Sequence, residues 1–350
     1  MGIDMNIFNI QHPEDITLSC HQQLSQIDIA YHTFGSLNQK KDNVIVICHP
    51  LTGDSNALSW WSKIVGPNLP IDTQRYFVVC MNVLGGCYGS TGPSSICPNT
   101  KEPYGFSFPV ITITDMVRVQ RKLIESLGIE SIKMVIGGSM GGMQALEWVA
   151  QCPDQVQSCV PIASTTKVSP LAIAFDAVGR SAITKGLADG NGGVSGLSVA
   201  RQLAHISYLS EDALEEKFSR HLQNGTDYLY DMSPEFQVES YLNYQGQKFI
   251  DRFDLYSYLY LTKAVSYFDL ERTYGSVERA LSASNATFLV LAIKSDWLYT
   301  PTQSKALTYE LMKLNKHVSY VEIDSDYGHD TFLIDSEETK EVIQHFLESI

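Results

Sequence analysis

The chain has 350 residues, of which 44% are hydrophobic and 18% charged. Those proportions suit a soluble globular protein with a large core and room for an insertion. The formal net charge of −14, from 25 basic and 39 acidic residues, argues against a general nucleic-acid binder, which shows a basic face, but leaves room for a local cationic site.

In chain order, Val44-Ile45-Val46-Ile47-Cys48 opens a series of short β-branched runs, continued at 76–80, 133–136, 159–162, 288–292 and 318–323. Uninterrupted apolar runs of this length, each closed by Gly, Pro or Asp, are the pattern of central strands buried on both faces. Helical patterns lie between them, at 114–127 with Gly128 as C-cap, at 302–314 and at 337–349. Alternating strands and helices imply a mostly parallel sheet covered on both sides. The alternation stops between about 165 and 285. There helical patterns (203–218, 238–244, 255–267) surround a break at Gly190-Asn191-Gly192-Gly193. The expected organisation is a core formed by 1–165 and 286–350, with 166–285 inserted as a helical lid.

The first twenty residues lack the apolar stretch of a signal peptide. No run approaches membrane-spanning length. The seven cysteines, none in a C-x-x-C pair, read as reduced thiols. Together these give a cytoplasmic expectation, with no membrane partner. No histidine pair with metal-ligand spacing is present, so no metal site is expected.

Gly137-Gly138-Ser139-Met140-Gly141 matches G-x-S-x-G, between the run at 133–136 and a helical pattern at 142–150. A serine on such a tight strand-to-helix turn is presented above the sheet edge, and small neighbours are required around it. That pattern predicts an α/β-hydrolase fold with Ser139 as nucleophile. A serine needs a base, itself oriented by an acid, and in this fold the chain order is Ser, Asp or Glu, then His. Of the downstream histidines, His329 alone follows a strand pattern within a loop. Asp296 ends the run at 288–293, just before the helix introduced by Pro301. The oxyanion hole then falls to the backbone N–H groups of Met140, after the nucleophile, and Leu51, in the loop after Val44–Cys48. His49, at a strand end before proline, reads as structural.

Several segments resemble the homoserine O-acetyltransferases of methionine biosynthesis across nearly the whole chain. They are His49-Pro50-Leu51-Thr52-Gly53-Asp54-Ser55, Asn82-Val83-Leu84-Gly85-Gly86-Cys87, Gly89-Ser90-Thr91-Gly92-Pro93, Gly137 to Gln144, Phe236-Gln237-Val238-Glu239-Ser240-Tyr241-Leu242 and Ser325-Asp326-Tyr327-Gly328-His329-Asp330. Asn56 departs from the family pattern, which often has His, and Tyr88 fills a variable position. The resemblance implies acyl transfer from acetyl-CoA, a co-substrate, to the hydroxyl of L-homoserine through an acyl-Ser139 intermediate, with no bound cofactor. It further implies that Arg220 holds the substrate carboxylate, that Asp330 takes the ammonium, and that the chain forms a homodimer. Leu298 stands where related succinyl-transferring enzymes tend to carry Arg, which favours acetyl. Succinyl transfer, a serine acceptor, an esterase or thioesterase of the same fold, and a non-catalytic scaffold remain as alternatives.

Overall fold

The computed structural model describes residues 4–190, 192–225, 227–334 and 337–350; of the glycine-rich break, Asn191 lies outside them. The chain opens with strands β1 (Asn6–Asn9), β2 (Asp28–Phe34) and β3 (Val44–Cys48), then a short helix α1 (Ala57–Trp60). A two-stranded ribbon follows, β4 (Val65–Gly66) with β5 (Ile71–Asp72), and then β6 (Phe77–Met81), α2 (Ile113–Ser126), β7 (Met134–Gly138), α3 (Met140–Gln151) and β8 (Ser158–Ile162). After the helical stretch come β9 (Thr287–Ile293), α11 (Pro301–Lys313), β10 (Val318–Ile323) and α12 (Glu337–Ser349), with α4 to α10 between β8 and β9.

Eight strands form one sheet in the order β1-β2-β6-β3-β7-β8-β9-β10. The strands from β6 to β10 in that order run parallel, whereas β2 pairs antiparallel with both of its neighbours, β1 and β6. The continuous apolar runs have a direct cause here. Val44, Val46 and Cys48 join the core on one face of β3, while Ile45 and Ile47 join the core on the other, so neither face can be polar. Val318–Ile323 falls where the pattern placed it, and α2 is one residue longer at its start because Thr112 and Asp115 form a capping box. Gly128 follows with φ 65°, the left-handed conformation that ends a helix.

The helical stretch comprises α4 (Pro170–Ala188), α5 (Val194–Tyr208), α6 (Glu211–Phe218), α7 (Gln237–Ile250), α8 (Leu255–Ser266), α9 (Leu270–Tyr274) and α10 (Val277–Leu281). The pattern at 203–218 implied one helix; the structure has two. Leu209 is extended, and Ser210 caps α6 by accepting from the Ala213 amide. Trp297 Nε1 donates to the freed Leu209 carbonyl at 2.8 Å, which fixes the break against the core.

Candidate active site

β7 runs straight into α3 through Ser139, whose backbone has φ 57° and ψ −123°. A non-glycine residue in that region costs on the order of 1–3 kcal/mol and persists only where its surroundings enforce it. They do so by leaving no room for side chains nearby. A Cβ on Gly137 would lie 2.6 Å from the Cys48 carbonyl oxygen, one on Gly138 2.3 Å from the Phe332 ring, and one on Gly141 2.1 Å from the Cys48 oxygen. The glycines therefore let β7, α3 and β3 close around the serine.

Asp296 follows β9 and His329 follows β10, adjacent parallel strands, so their loops emerge side by side. His329 Nδ1 lies 2.7 Å from Asp296 Oδ2, and both residues are 2% exposed. The other carboxylate oxygen accepts from the Leu298 and Tyr299 amides, each at 2.9 Å. Asp296 is thus fixed from both sides and holds the imidazole with Nε2 as the remaining base. The two loops are also tied directly: the Gly328 amide donates to Ser295 Oγ at 2.9 Å, and that hydroxyl donates to the Ser325 carbonyl. Burial disfavours a charged His329, but the Asp296 carboxylate and then that of Asp330 outweigh it, so its pKa is raised above 6.5.

The rings of Tyr299, Phe332 and Tyr208 surround the imidazole at 5.2, 5.6 and 5.7 Å. Phe332 is the ring that packs on Gly138, which places His329 beside the elbow. Leu51, Ser139 and Met140 line one small cavity with Tyr208 and Tyr299. Met140 is the first residue of α3, so its N–H has no intrahelical acceptor and is available to an oxyanion. The Leu51 loop is held from two directions. Gln144 of α3 donates to the His49 carbonyl at 3.2 Å, and Arg252 donates to the Thr52 carbonyl at 3.1 Å and to the Tyr88 hydroxyl at 3.0 Å. His49 accepts from the Val83 amide at 3.2 Å through Nε2, with Nδ1 on the Pro50 carbonyl. Those bonds occupy both ring nitrogens in a structural role.

Comparison with known proteins gives the same answer from the other side. Residues 43–336 match the family model of the alpha/beta hydrolase fold. The homoserine O-acetyltransferase of Solidesulfovibrio magneticus is 45% identical, over 99% of this chain and 92% of that protein. That of Methanococcoides burtonii is 51% identical, over 93% of this chain and 70% of its own length. The chain belongs to the homoserine O-acetyltransferase family. It is therefore an acyltransferase on an α/β-hydrolase scaffold. Among solved structures, the Bacillus anthracis homoserine O-acetyltransferase superposes with a TM-score of 0.92 at 27% identity, covering 99% of this chain and 98% of that one. Esterase E22 superposes with a TM-score of 0.89 at 26% identity, over 99% and 100%. The scaffold of this acyltransferase family is thus shared with an esterase.

The charged groups around the site depart from the sequence reading in one respect. Asp330 follows His329 directly and is half-buried; burial raises its pKa, with His329 and Arg201 acting against the rise. Arg220, expected opposite it, is instead exposed beyond the end of α6. Its guanidinium lies 3.4 Å from the Tyr228 hydroxyl and 5.4 Å from the Phe236 ring centre. Leu209 and Ser210 separate α6 from α5, and Arg220 lies two residues past the end of α6. The arginine that α5 brings to this place is Arg201. It lies over the Phe249 ring at 4.8 Å and the Tyr208 ring at 6.0 Å, with no carboxylate within ion-pair distance among the described residues. Arg201, His205 and Tyr208 recur at helical spacing, a signal in the sequence that marks one inward face. No cluster of possible metal ligands occurs among the described residues, and no described helix is long and apolar enough to cross a membrane.

Proposed function

We propose that the chain transfers an acetyl group from acetyl-CoA to the hydroxyl of L-homoserine, giving O-acetyl-L-homoserine and CoA. The observation that carries this reading is the pairing of an elbow serine and a buried His329–Asp296 couple with a half-buried cation and anion, Arg201 and Asp330, at one end of the site. A simple ester has no need of two opposite charges; an amino acid does. In this reading Arg201, rather than Arg220, takes the substrate carboxylate through its planar fork and Asp330 takes the ammonium.

The reaction runs in two halves. Ser139 Oγ attacks the thioester carbon while His329 Nε2 takes its proton, and the Leu51 and Met140 N–H groups bind the oxyanion. The C–S bond breaks, and the sulfur leaves as CoA thiol with the proton from His329. The homoserine hydroxyl then gives its proton to His329 and attacks the acyl carbon. Collapse releases the ester and returns the proton to Ser139. No metal or prosthetic group is needed at any step. Hydrolysis differs only in the second nucleophile, so the helical stretch 166–285 acts as a lid that keeps water from the acyl-enzyme. Exposed apolar side chains on α4 and α5, among them Leu171, Val178, Val194 and Val199, supply the face for a homodimer. Placement in methionine biosynthesis and in the cytoplasm follows from the same reading.

The test is CoA-thiol release by the purified protein with acetyl-CoA or succinyl-CoA, each with homoserine, with serine and with neither. Homoserine-dependent release from acetyl-CoA that vanishes in Ser139→Ala is the expected result. Equal release without any amino acid makes the protein a thioesterase, the reading that its likeness to esterase E22 keeps in view.

A further inference from the structure

The cavity beside Ser139 is small, about 30 Å³, room for about two waters. Its walls, from the lid and the core together, mix apolar side chains such as Phe175 and Leu203 with the hydroxyl-bearing Ser207, Tyr208, Tyr258 and Tyr299, and no lysine, arginine or histidine lines it. One lining side chain is a carboxylic acid, Asp176 of α4. Arg201 and Asp330 do not line it, but Tyr208, whose ring Arg201 overlies, does, so the cavity adjoins the end of the site assigned to the amino acid.

Asp176 is held from behind. The Ser266 hydroxyl of α8 lies 3.3 Å from its Oδ2 and 2.9 Å from the Thr262 carbonyl, the closer acceptor for its one proton, and Arg180, one turn further along α4, donates to the same hydroxyl at 3.1 Å. The guanidinium is therefore engaged on the far side of Asp176 and does not reach the cavity wall. Burial pushes the Asp176 carboxyl up to about 7, opposed by Arg180 and the Ser266 hydroxyl. In either protonation state it presents oxygen to a space that offers no cation.

We infer that Asp176 is a donor-specificity residue, which admits a short neutral acyl group on Ser139 and rejects a dicarboxylic one by facing its free carboxylate with a carboxyl while masking Arg180. This deepens the proposed function and rests on it. An acetyl group places only a methyl here. A succinyl group brings a second carboxylate against the Asp176 carboxyl in a recess with no counter-charge, an unfavourable place for an ion. The discrimination is built by a repulsive element rather than by added contacts to the preferred group.

The experiment measures kcat/KM for acetyl-CoA and succinyl-CoA, at saturating homoserine, in the natural protein and in Asp176→Asn, Asp176→Ala and Asp176→Ala/Arg180→Ala. The acetyl-to-succinyl ratio should fall at least tenfold in Asp176→Ala, which frees Arg180 to meet the succinyl carboxylate. It should fall less in the near-isosteric Asp176→Asn and recover in the double variant. A ratio unchanged within twofold in both single variants overturns the inference, as does a change confined to the KM for homoserine, which would make Asp176 part of the amino acid site. A natural protein that prefers succinyl-CoA also overturns it. Release from neither donor instead overturns the proposed function, so the two failures are distinguishable.

Discussion

Replacing Asp296 by Asn tests the active-site geometry most directly, because it changes one atom at a buried, fully bonded position. Asp296 Oδ1 takes the Leu298 and Tyr299 amides and Oδ2 takes His329 Nδ1. In the variant the two backbone donors cannot move, so they keep the amide oxygen. The NH₂ group then faces His329 Nδ1, which must become an acceptor. The ring proton moves to Nε2, the nitrogen that has to be empty to take the proton of Ser139. The expected loss in kcat is ~10⁴, about 5.5 kcal/mol in the barrier. It is read from CoA release at saturating acetyl-CoA and homoserine, beside a thermal melt to establish that the variant is folded. A loss under tenfold in a folded Asp296→Asn protein would refute the assignment of Asp296 as the orienting acid.

Other expectations follow from the same geometry. The raised pKa of His329 puts the acid limb of the kcat/KM profile above pH 6.5, since the base must be neutral to act; Asp330→Asn should move that limb down, and a midpoint below 6.5 in the natural protein contradicts the cited balance of charges. The same shift contributes stability that is full below pH 6.5 and lost as pH rises through the folded value, which denaturant melts across that range can follow. Arg201→Ala should raise the KM for homoserine on the order of tenfold or more, as expected for the loss of a charged hydrogen-bonding pair, whereas Arg220→Ala should leave it within twofold; the reverse order would restore Arg220 to the site. Gly141→Ala, whose Cβ would lie 2.1 Å from the Cys48 oxygen, should cost on the order of 3 kcal/mol in folding because backbone must move, and an unchanged melting temperature would argue against the close approach of α3 to β3.

Much of the core could be read from the chain alone because its signals are local. A strand buried on both faces has to be apolar at every position, and Val44–Cys48 shows it without reference to its neighbours, whereas Val318–Ile323, at the sheet edge, is only partly buried and carries Ser319 and Glu322. The elbow announces itself because only glycine leaves room for β3 against α3. β2 was not read: with one side toward solvent and a mixed pattern in Asp28–Phe34, it depends on β6 and β1 for its pairing. The long α4 was also missed. Its buried residues are few (Ala172, Gly179 and Ile183), so periodicity barely marks it.

The chemistry divides in the same way. Residue order along the chain proposed Ser139, Asp296 and His329, and the structure sets His329 Nδ1 2.7 Å from Asp296 Oδ2, because parallel strands deliver their following loops to one edge of the sheet. The choice between Arg201 and Arg220 lay beyond it. They lie nineteen positions apart, on either side of the helical pattern at 203–218, and local propensity assigns neither to the site. The proposal of Arg201 rests on the packing of α5 against α4 and α7, which sets Arg201 over Phe249 while Arg220 stays exposed. Asp176 belongs to the same class. An acid on a mostly exposed helix is unremarkable in sequence, and only the closure of α4 and α8 over Ser139 makes it the wall of a cavity.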